Sequence, residues 1–212
     1  MTRGHSSSGD PQALLQQQTL LKQVAEGSPG ALDRLLAAHR QELIDYVRLR
    51  LSRQLSARLD PSDVVQEVQL TVAQRIADYL QRRPMPFPIW LRKTALERLA
   101  NLRKHHHRER RTPQAEAVLP DQTSLALMKS LIDPGHSPSQ RLAAAETAKE
   151  IKLAIAELPE ADREILLMRQ LEGTQFREIA QILDIDPAAA RKRFGRALLK
   201  LKEVMNRKGL LE

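Results

Sequence analysis

Apolar residues recur at spacings of three and four along almost the whole chain, and nowhere do they settle into a sustained alternating pattern. Residues three and four apart share one side of a helix, whereas a strand needs a period of two. The chain is therefore expected to be all-α. Its breakers divide it. A first helix runs from Pro11 to Ala25, and Gly27, Ser28, Pro29 and Gly30 then interrupt it. A second, long helix carries Leu32, Leu35, Leu36, Leu43, Tyr46 and Val47 as its apolar side. Asp60-Pro61 reads as an N-cap with Pro at the first helical position, opening a third helix that reaches about Leu80. Pro84, Pro86 and Pro88 forbid helix in the next loop. A fourth helix starts near Pro88 and runs into basic sequence ending at Arg111.

From Thr112 to Gln140 the character changes. Pro113, Pro120, Pro134, Gly135 and Pro138 punctuate it, and Glu116, Asp121 and Asp133 outnumber Lys129. This is expected to be a flexible acidic linker with at most a short helix near Ser124–Leu131. Periodicity resumes at Arg141. Leu158-Pro159 ends one helix, Gly173 ends the next, and Asp186-Pro187 opens the last. The expected layout is a disordered polar tail over 1–10, a helical domain over 11–111, a linker over 112–140, and a second helical domain over 141–212. Three Phe, one Trp and two Tyr in 212 residues are few anchors for one large core, and they suit two small ones.

With no Cys, disulfides, thiolate metal sites and Cys nucleophiles are excluded, and a reducing cytoplasm is the compartment expected. No apolar run approaches a membrane span, and no signal-peptide core follows Met1. A net charge of +8 favours a nucleic acid or another anionic partner, so the location of the charge decides.

The last helix answers first. Ala190, Phe194, Ala197, Leu198, Leu201 and Val204 fall on one side, while Ala189, Lys192, Arg193, Arg196 and Lys200 fall on the other. Glu203 alone opposes Arg191, Lys192, Arg193, Arg196, Lys200, Lys202, Arg207 and Lys208. Before it, Thr174 can cap a helix holding Phe176, Ile179, Ala180 and Leu183, and Asp184-Ile185-Asp186 makes a tight turn. Two short helices, a tight turn and a basic second helix are what docking into a major groove needs. Ala188 and Ala189 would let the backbone approach the bases, and Arg and Lys would contact phosphates and guanines. The plainer alternative is a solvated basic helix. The preceding acids Glu157, Glu160, Asp162, Glu164, Glu172 and Glu178 argue against it by confining the basic charge to one face.

The third helix should bury Val64, Val65, Val68, Val72, Ile76 and Tyr79. Its other side holds Asp63, Gln66, Glu67, Gln74 and Asp78 around a single Leu70, an apolar anchor with a polar rim such as protein interfaces use. The fourth helix buries Leu91, Ala95, Leu99 and Leu102 and carries Arg92, Lys93, Arg98, Arg103, Lys104, Arg108, Arg110 and Arg111. A basic helix with Asn101, beside a loop holding Phe87 and Trp90, suits backbone tracking and base stacking on a single strand. Packing of Trp90 on its own loop is the competing assignment. His105, His106 and His107 are consecutive, point about 100° apart on a helix, and cannot converge on one metal. No nucleophile motif, glycine-rich phosphate loop or sheltered carboxylate pair is present, so neither an enzyme nor a bound cofactor is expected.

These stretches resemble a family, the extracytoplasmic-function (ECF) group of RNA polymerase sigma factors. Asp60-Pro61-Ser62-Asp63-Val64-Val65-Gln66-Glu67-Val68 is similar to the family's helix for the clamp helices of the largest polymerase subunit. Phe87-Pro88-Ile89-Trp90-Leu91-Arg92-Lys93-Thr94-Ala95 resembles its promoter-melting and −10 segment. Glu178-Ile179-Ala180 through Arg191-Lys192-Arg193-Phe194-Gly195-Arg196-Ala197-Leu198 resembles its −35-reading helix-turn-helix. The resemblance covers about Leu14 to Met205. It implies that Asp63, Gln66 and Glu67 contact core RNA polymerase, and the pattern around Leu70 adds that residue as the apolar anchor of the same face. It implies that Arg92, Lys93, Arg98, Asn101 and Lys104 serve the −10 element, and Ala188, Ala189, Arg191, Lys192, Arg193 and Arg196 the −35 element. Promoter DNA and core polymerase are the implied partners, an anti-sigma factor a further one. Glu97 departs from the usual Asn, and Asp184 from the usual Gly of the turn, where Asp tolerates a left-handed backbone. A stand-alone helix-turn-helix regulator is the alternative.

Overall fold

The computed structural model describes residues 11–51, 53–109, 151 and 153–210, which contain helices and no strand. The expected tail, the linker with its short helix, and the start of the second domain at Arg141 lie outside the described residues. The first unit is built from α1 (Pro11–Ala25), α2 (Ala31–Arg48), a single turn α3 (Arg53–Ser56), α4 (Pro61–Arg82) and α5 (Phe87–Glu109). The second holds helical residues 153–156, then α6 (Glu160–Leu166), a π-helical turn (Leu167–Leu171), α7 (Phe176–Leu183) and α8 (Pro187–Arg207).

Local chemistry sets these boundaries. The Asp60 carboxylate accepts the Ser62 amide at 2.7 Å, with Pro61 behind it, and so starts α4. Arg83, in the left-handed region at φ 39°, ends that helix. Gly173, at φ 65°, turns the chain out of the π-helical turn, a conformation open to glycine at no steric cost. One expectation fails here. Thr174 does not cap α7; it is buried, and Gln175 is the cap residue. The Gln175 amide donates to Glu178 at 3.0 Å, which is half of a capping box and fastens the first turn of α7.

The core of the first unit follows the expected stripes. Leu35, Leu43, Val47, Val64, Val65, Val68, Val72, Leu91, Ala95 and Leu99 are buried together, with Ile76 and Leu102 at the edge. Its few aromatics are spent in one place. Phe87 is fully buried between His39 and Tyr79, each at 5.6 Å between ring centroids. Trp90 stacks on Tyr79 at 4.5 Å, and the Tyr79 hydroxyl donates to the Met85 carbonyl at 3.1 Å. That bond fixes the proline loop over the core. The second core joins Ile155, Ile165 to Met168, Ile179, Ile182, Ala190, Ala197, Leu201 and Val204.

The two units are not separate. Ile89, with Met85 and Leu96 beside it, comes from the first unit but packs into the core of the second, and α7 lies against α5. Phe87→Ala should remove about 3–5 kcal/mol from the first unit by opening a cavity under the aromatic cluster. Urea unfolding followed by the fluorescence of Trp90, the one tryptophan of the chain, reads this directly. A loss below about 1 kcal/mol would show that the cluster does not anchor the loop.

Candidate nucleic-acid interface

The turn before α8 forms as its residues dictate. Asp184 ends α7 at φ 56° and ψ 47°, the left-handed conformation that Asp tolerates. Asp186 then caps α8, its carboxylate accepting the Ala189 amide at 2.8 Å, with Pro187 in the first turn. Phe176 and Phe194 meet edge to face at 5.5 Å and hold the two helices at a fixed angle. Ala190, Ala197, Leu201 and Val204 are buried as expected, and Phe194 partly so. Leu198, placed by its pattern on the same side, instead stands 38% exposed beside Leu199, because it lies at the rim of the stripe that Ala190, Phe194, Ala197, Leu201 and Val204 define. The opposite face is open: Ala188, Arg191, Lys192 and Arg196 are exposed, and Ala189 and Arg193 partly so. Lys200 is exposed but committed, its ammonium 2.5 Å from Asp162.

On α4 the structure brings Asp63, Gln66, Glu67 and Leu70 together on one exposed face. Leu70 is 60% exposed. It borders an open groove of about 300 Å³ whose far wall is α2, with Leu32, Leu36, Ala37 and Arg40. The α4 half of this face is legible in the sequence, and the α2 half is not. Leu32 and Leu36 read there only as core residues, which in part they are.

The α5 set divides. Asn101 and Lys104 are exposed. Arg98 donates to Glu67 at 2.7 Å, tying the basic helix to the acidic face of α4. Arg92 has a side chain only 17% exposed and donates to Glu42 at 3.0 Å. Glu42 is held below the usual carboxylate range, first by its hydrogen bond to His39 and then by the charge of Arg92. Lys93 is 23% exposed and lies 3.8 Å from Asp184, in the turn of the second unit. Glu97 faces Arg75 at 3.5 Å. Trp90 is stacked inward on Tyr79, as packing on its own loop requires. Among the described residues no group of His, Cys, Asp and Glu is placed to hold a metal ion.

Known proteins similar to this chain are sigma factors. Residues 148–201 match the family model "Sigma-70, region 4", which spans α6 to α8. The chain is 30% identical over 178 residues to a probable RNA polymerase sigma factor, RfaY, of Xanthomonas campestris, covering 84% of this chain but 41% of that one. It is 30% identical over 184 residues to the ECF RNA polymerase sigma factor ShbA of Streptomyces griseus, covering 86% of this chain and 92% of that one. Among solved structures, CnrH in complex with the cytosolic domain of CnrY superposes with a TM-score of 0.56 at 22% identity, covering 90% of this chain and 97% of that one. That likeness is one of fold.

The cap of α8 carries a pH dependence. Hydrogen bonds from the Ala189 and Ala188 amides hold the Asp186 carboxyl below its ordinary value. A lowered folded value means that the cap contributes fully above the ordinary aspartate range and is lost as the pH falls through the folded value. Asp186→Ala should speed amide exchange at Ala188, Ala189 and Ala190 at neutral pH, whereas Asp186→Asn should keep the first turn and remove its sensitivity to acid. Exchange rates unchanged by the alanine variant would refute the cap.

Proposed function

Since this chain belongs to the ECF RNA polymerase sigma factors, we propose that it is a non-enzymatic cytoplasmic subunit that docks on core polymerase through α4, reads −35 DNA with α8, and engages the −10 element with α5. The observation that carries the proposal is the coexistence, on one described chain, of two exposed faces of opposite charge. Asp63, Gln66, Glu67 and Leu70 form an acidic, leucine-centred face on α4, and Ala188, Arg191, Lys192 and Arg196 an open basic face on α8. A stand-alone regulator needs the second face and has no use for the first. In this reading Leu70 enters an apolar pocket of the partner while the carboxylates meet its basic rim. Arg193, partly exposed, completes the −35 set. Arg98, Asn101 and Lys104 form the accessible part of the −10 set, and Arg92 and Lys93 the covered part. CnrH is seen bound by the cytosolic domain of CnrY. A protein partner that holds this chain inactive is compatible with the same faces.

Titration of core polymerase against labelled protein tests the first face. Leu70→Asp and Asp63→Arg should each weaken binding, the former by about 2 kcal/mol or more as a central anchor. Both positions are exposed, so the helical content of the protein should not change. Full-strength binding by both variants would remove α4 from the interface. On the DNA side, Lys192→Ala or Arg196→Ala should cost about 1–3 kcal/mol at a base contact, or lower the salt dependence by about one charge at a phosphate contact. Footprints at the −35 element that match those of the unaltered protein would refute both roles.

A further inference from the structure

α8 contains one glycine, Gly195, in its third turn. Glycine in a helix interior costs stability against alanine, because its backbone loses more freedom on folding. The other described glycines have a local reason to be there. Gly27, Gly30, Gly173 and Gly209 stand at φ between 65° and 71°, where an L side chain is strained. Gly195 has no such reason, since its backbone is helical. Packing does not require it either. A Cβ at this position would meet nothing within 4 Å beyond its own turn of helix. Nothing inside this chain uses the missing side chain.

The place of Gly195 on the helix supplies a use. At 3.6 residues per turn it lies about 20° from Ala188 and Lys202 and about 40° from Arg191 and Leu199, all of them exposed. Lys192 and Arg196 flank it, also exposed, and the buried Ala197 and Val204 lie on the far side of the helix. The cations around the glycine are available. Arg191, Arg196 and Lys202 make no ion pair among the described residues, and Lys192 acts on the Asp186 carboxylate at the helix start. Elsewhere on α8 the cations are taken: Asp162 holds Lys200, and Glu157 holds Arg207 and, just past the helix, Lys208. Gly195 is thus a notch in the one part of α8 whose positive charge has no counter-charge of its own.

In a recognition helix the first residues meet base edges, while contacts to phosphate and sugar fix its position in the groove. Gly195 stands about 10 Å along the axis behind Ala188, level with the cations. Mid-helix amides are spent on the helix itself, so a contact here is one of shape. We propose that Gly195 is the seat at which the backbone of α8 presses against the sugar–phosphate chain of a DNA duplex, bringing Arg191, Lys192 and Arg196 within reach of the phosphates beside it. A side chain at this point would hold the helix off the duplex by its own width. This rests on α8 being the −35 helix, and it names the residue that sets how deeply that helix lies.

Gly195→Ala and Gly195→Leu test the seat on the full chain, with Arg196→Ala as the reference. The probes are a duplex of mixed sequence, about two helical turns long, and a duplex of the same length selected from a random pool by the unaltered protein. Both substitutions place a better helix former at an open position, so the thermal unfolding midpoint should rise by about 2–4 °C. Affinity should move the other way. It should fall about 5- to 100-fold for alanine, the range that one methyl forced into a close-packed contact costs, and further for leucine. A purely structural role would move both readings the same way. The sugar–phosphate chain is common to all sequences, so the loss should be equal on the two probes. Unchanged or raised affinity in the alanine variant, with Arg196→Ala weakened, would overturn the seat and leave the −35 face standing. A loss confined to the selected duplex would overturn contact with the sugar–phosphate chain in favour of a base edge. Full-strength binding by Arg196→Ala and Gly195→Ala alike would remove this face of α8 from the DNA interface, and the seat with it.

Discussion

The arrangement of this molecule turns on one buried charge. Arg50 sits at the end of α2 with no access to solvent, and its counter-charges, Glu164 and Glu172, lie more than a hundred residues further along the chain. Removing an arginine and two carboxylates from water costs several kcal/mol per ion, and their mutual attraction returns most of it only with good geometry and further hydrogen bonds. Here the Tyr46 carbonyl and ring supply part of that completion. The net contribution of such a cluster is small in either direction. The apolar contacts of Ile89, Met85 and Leu96 with the second core therefore carry most of the stability of the joint. A joint of this kind specifies one orientation strongly without holding it irreversibly.

Around that charge, α5 carries several demands at once. Leu91, Ala95 and Leu99 fill the first core, while Ile89 and Leu96 serve the second. Between these stripes lie the basic side chains, and the neighbours use several of them: Glu42 takes Arg92, Glu67 takes Arg98, and Glu160 takes Arg103. What a helical wheel presents as one basic face is therefore three local arrangements. Only Asn101 and Lys104 of the residues assigned to −10 DNA are free-standing on the surface in the closed chain. The acids that open the second unit gain a purpose from the same geometry. Glu160 and Glu164 confine basic charge to α8, as their position in the sequence suggests, and they also meet the cations of the first unit.

Most of the fold was legible because it is specified locally. Asp60-Pro61 and Asp186-Pro187 start helices through a carboxylate that reaches two or three residues ahead, and Asp184 makes its turn with its own backbone. The valine stripe of α4 and the exposure of Leu70 follow from periodicity alone. The buried joint was not legible. Nothing in the neighbourhood of Arg50 marks it as different from Arg48 two residues earlier, which is exposed enough to pair with Asp45. Glu164 in a run of helical acids looks like any solvated carboxylate. The Thr174 cap failed for a related reason. Its hydroxyl is a sound local candidate, but the residue is buried under the π-helical turn, whose amide pattern no local rule anticipates. Leu198 failed because it lies at the rim of the apolar stripe of α8, and the pattern does not show how far round the helix the core reaches.

Availability then ranks the surfaces of the closed chain. The acidic face of α4 and the basic face of α8 are open, whereas Arg92 and Lys93 are covered. Long-range attraction acts first on exposed charge, so encounters with a basic protein partner or with duplex DNA begin at the open faces. Binding at either does not require the joint to part. Contact with the covered side of α5 is different, since Lys93 lies against Asp184 in the turn of the second unit. A ligand shifts a two-state equilibrium only by the difference in its affinity for the two states, and only a ligand that needs the covered groups has that difference.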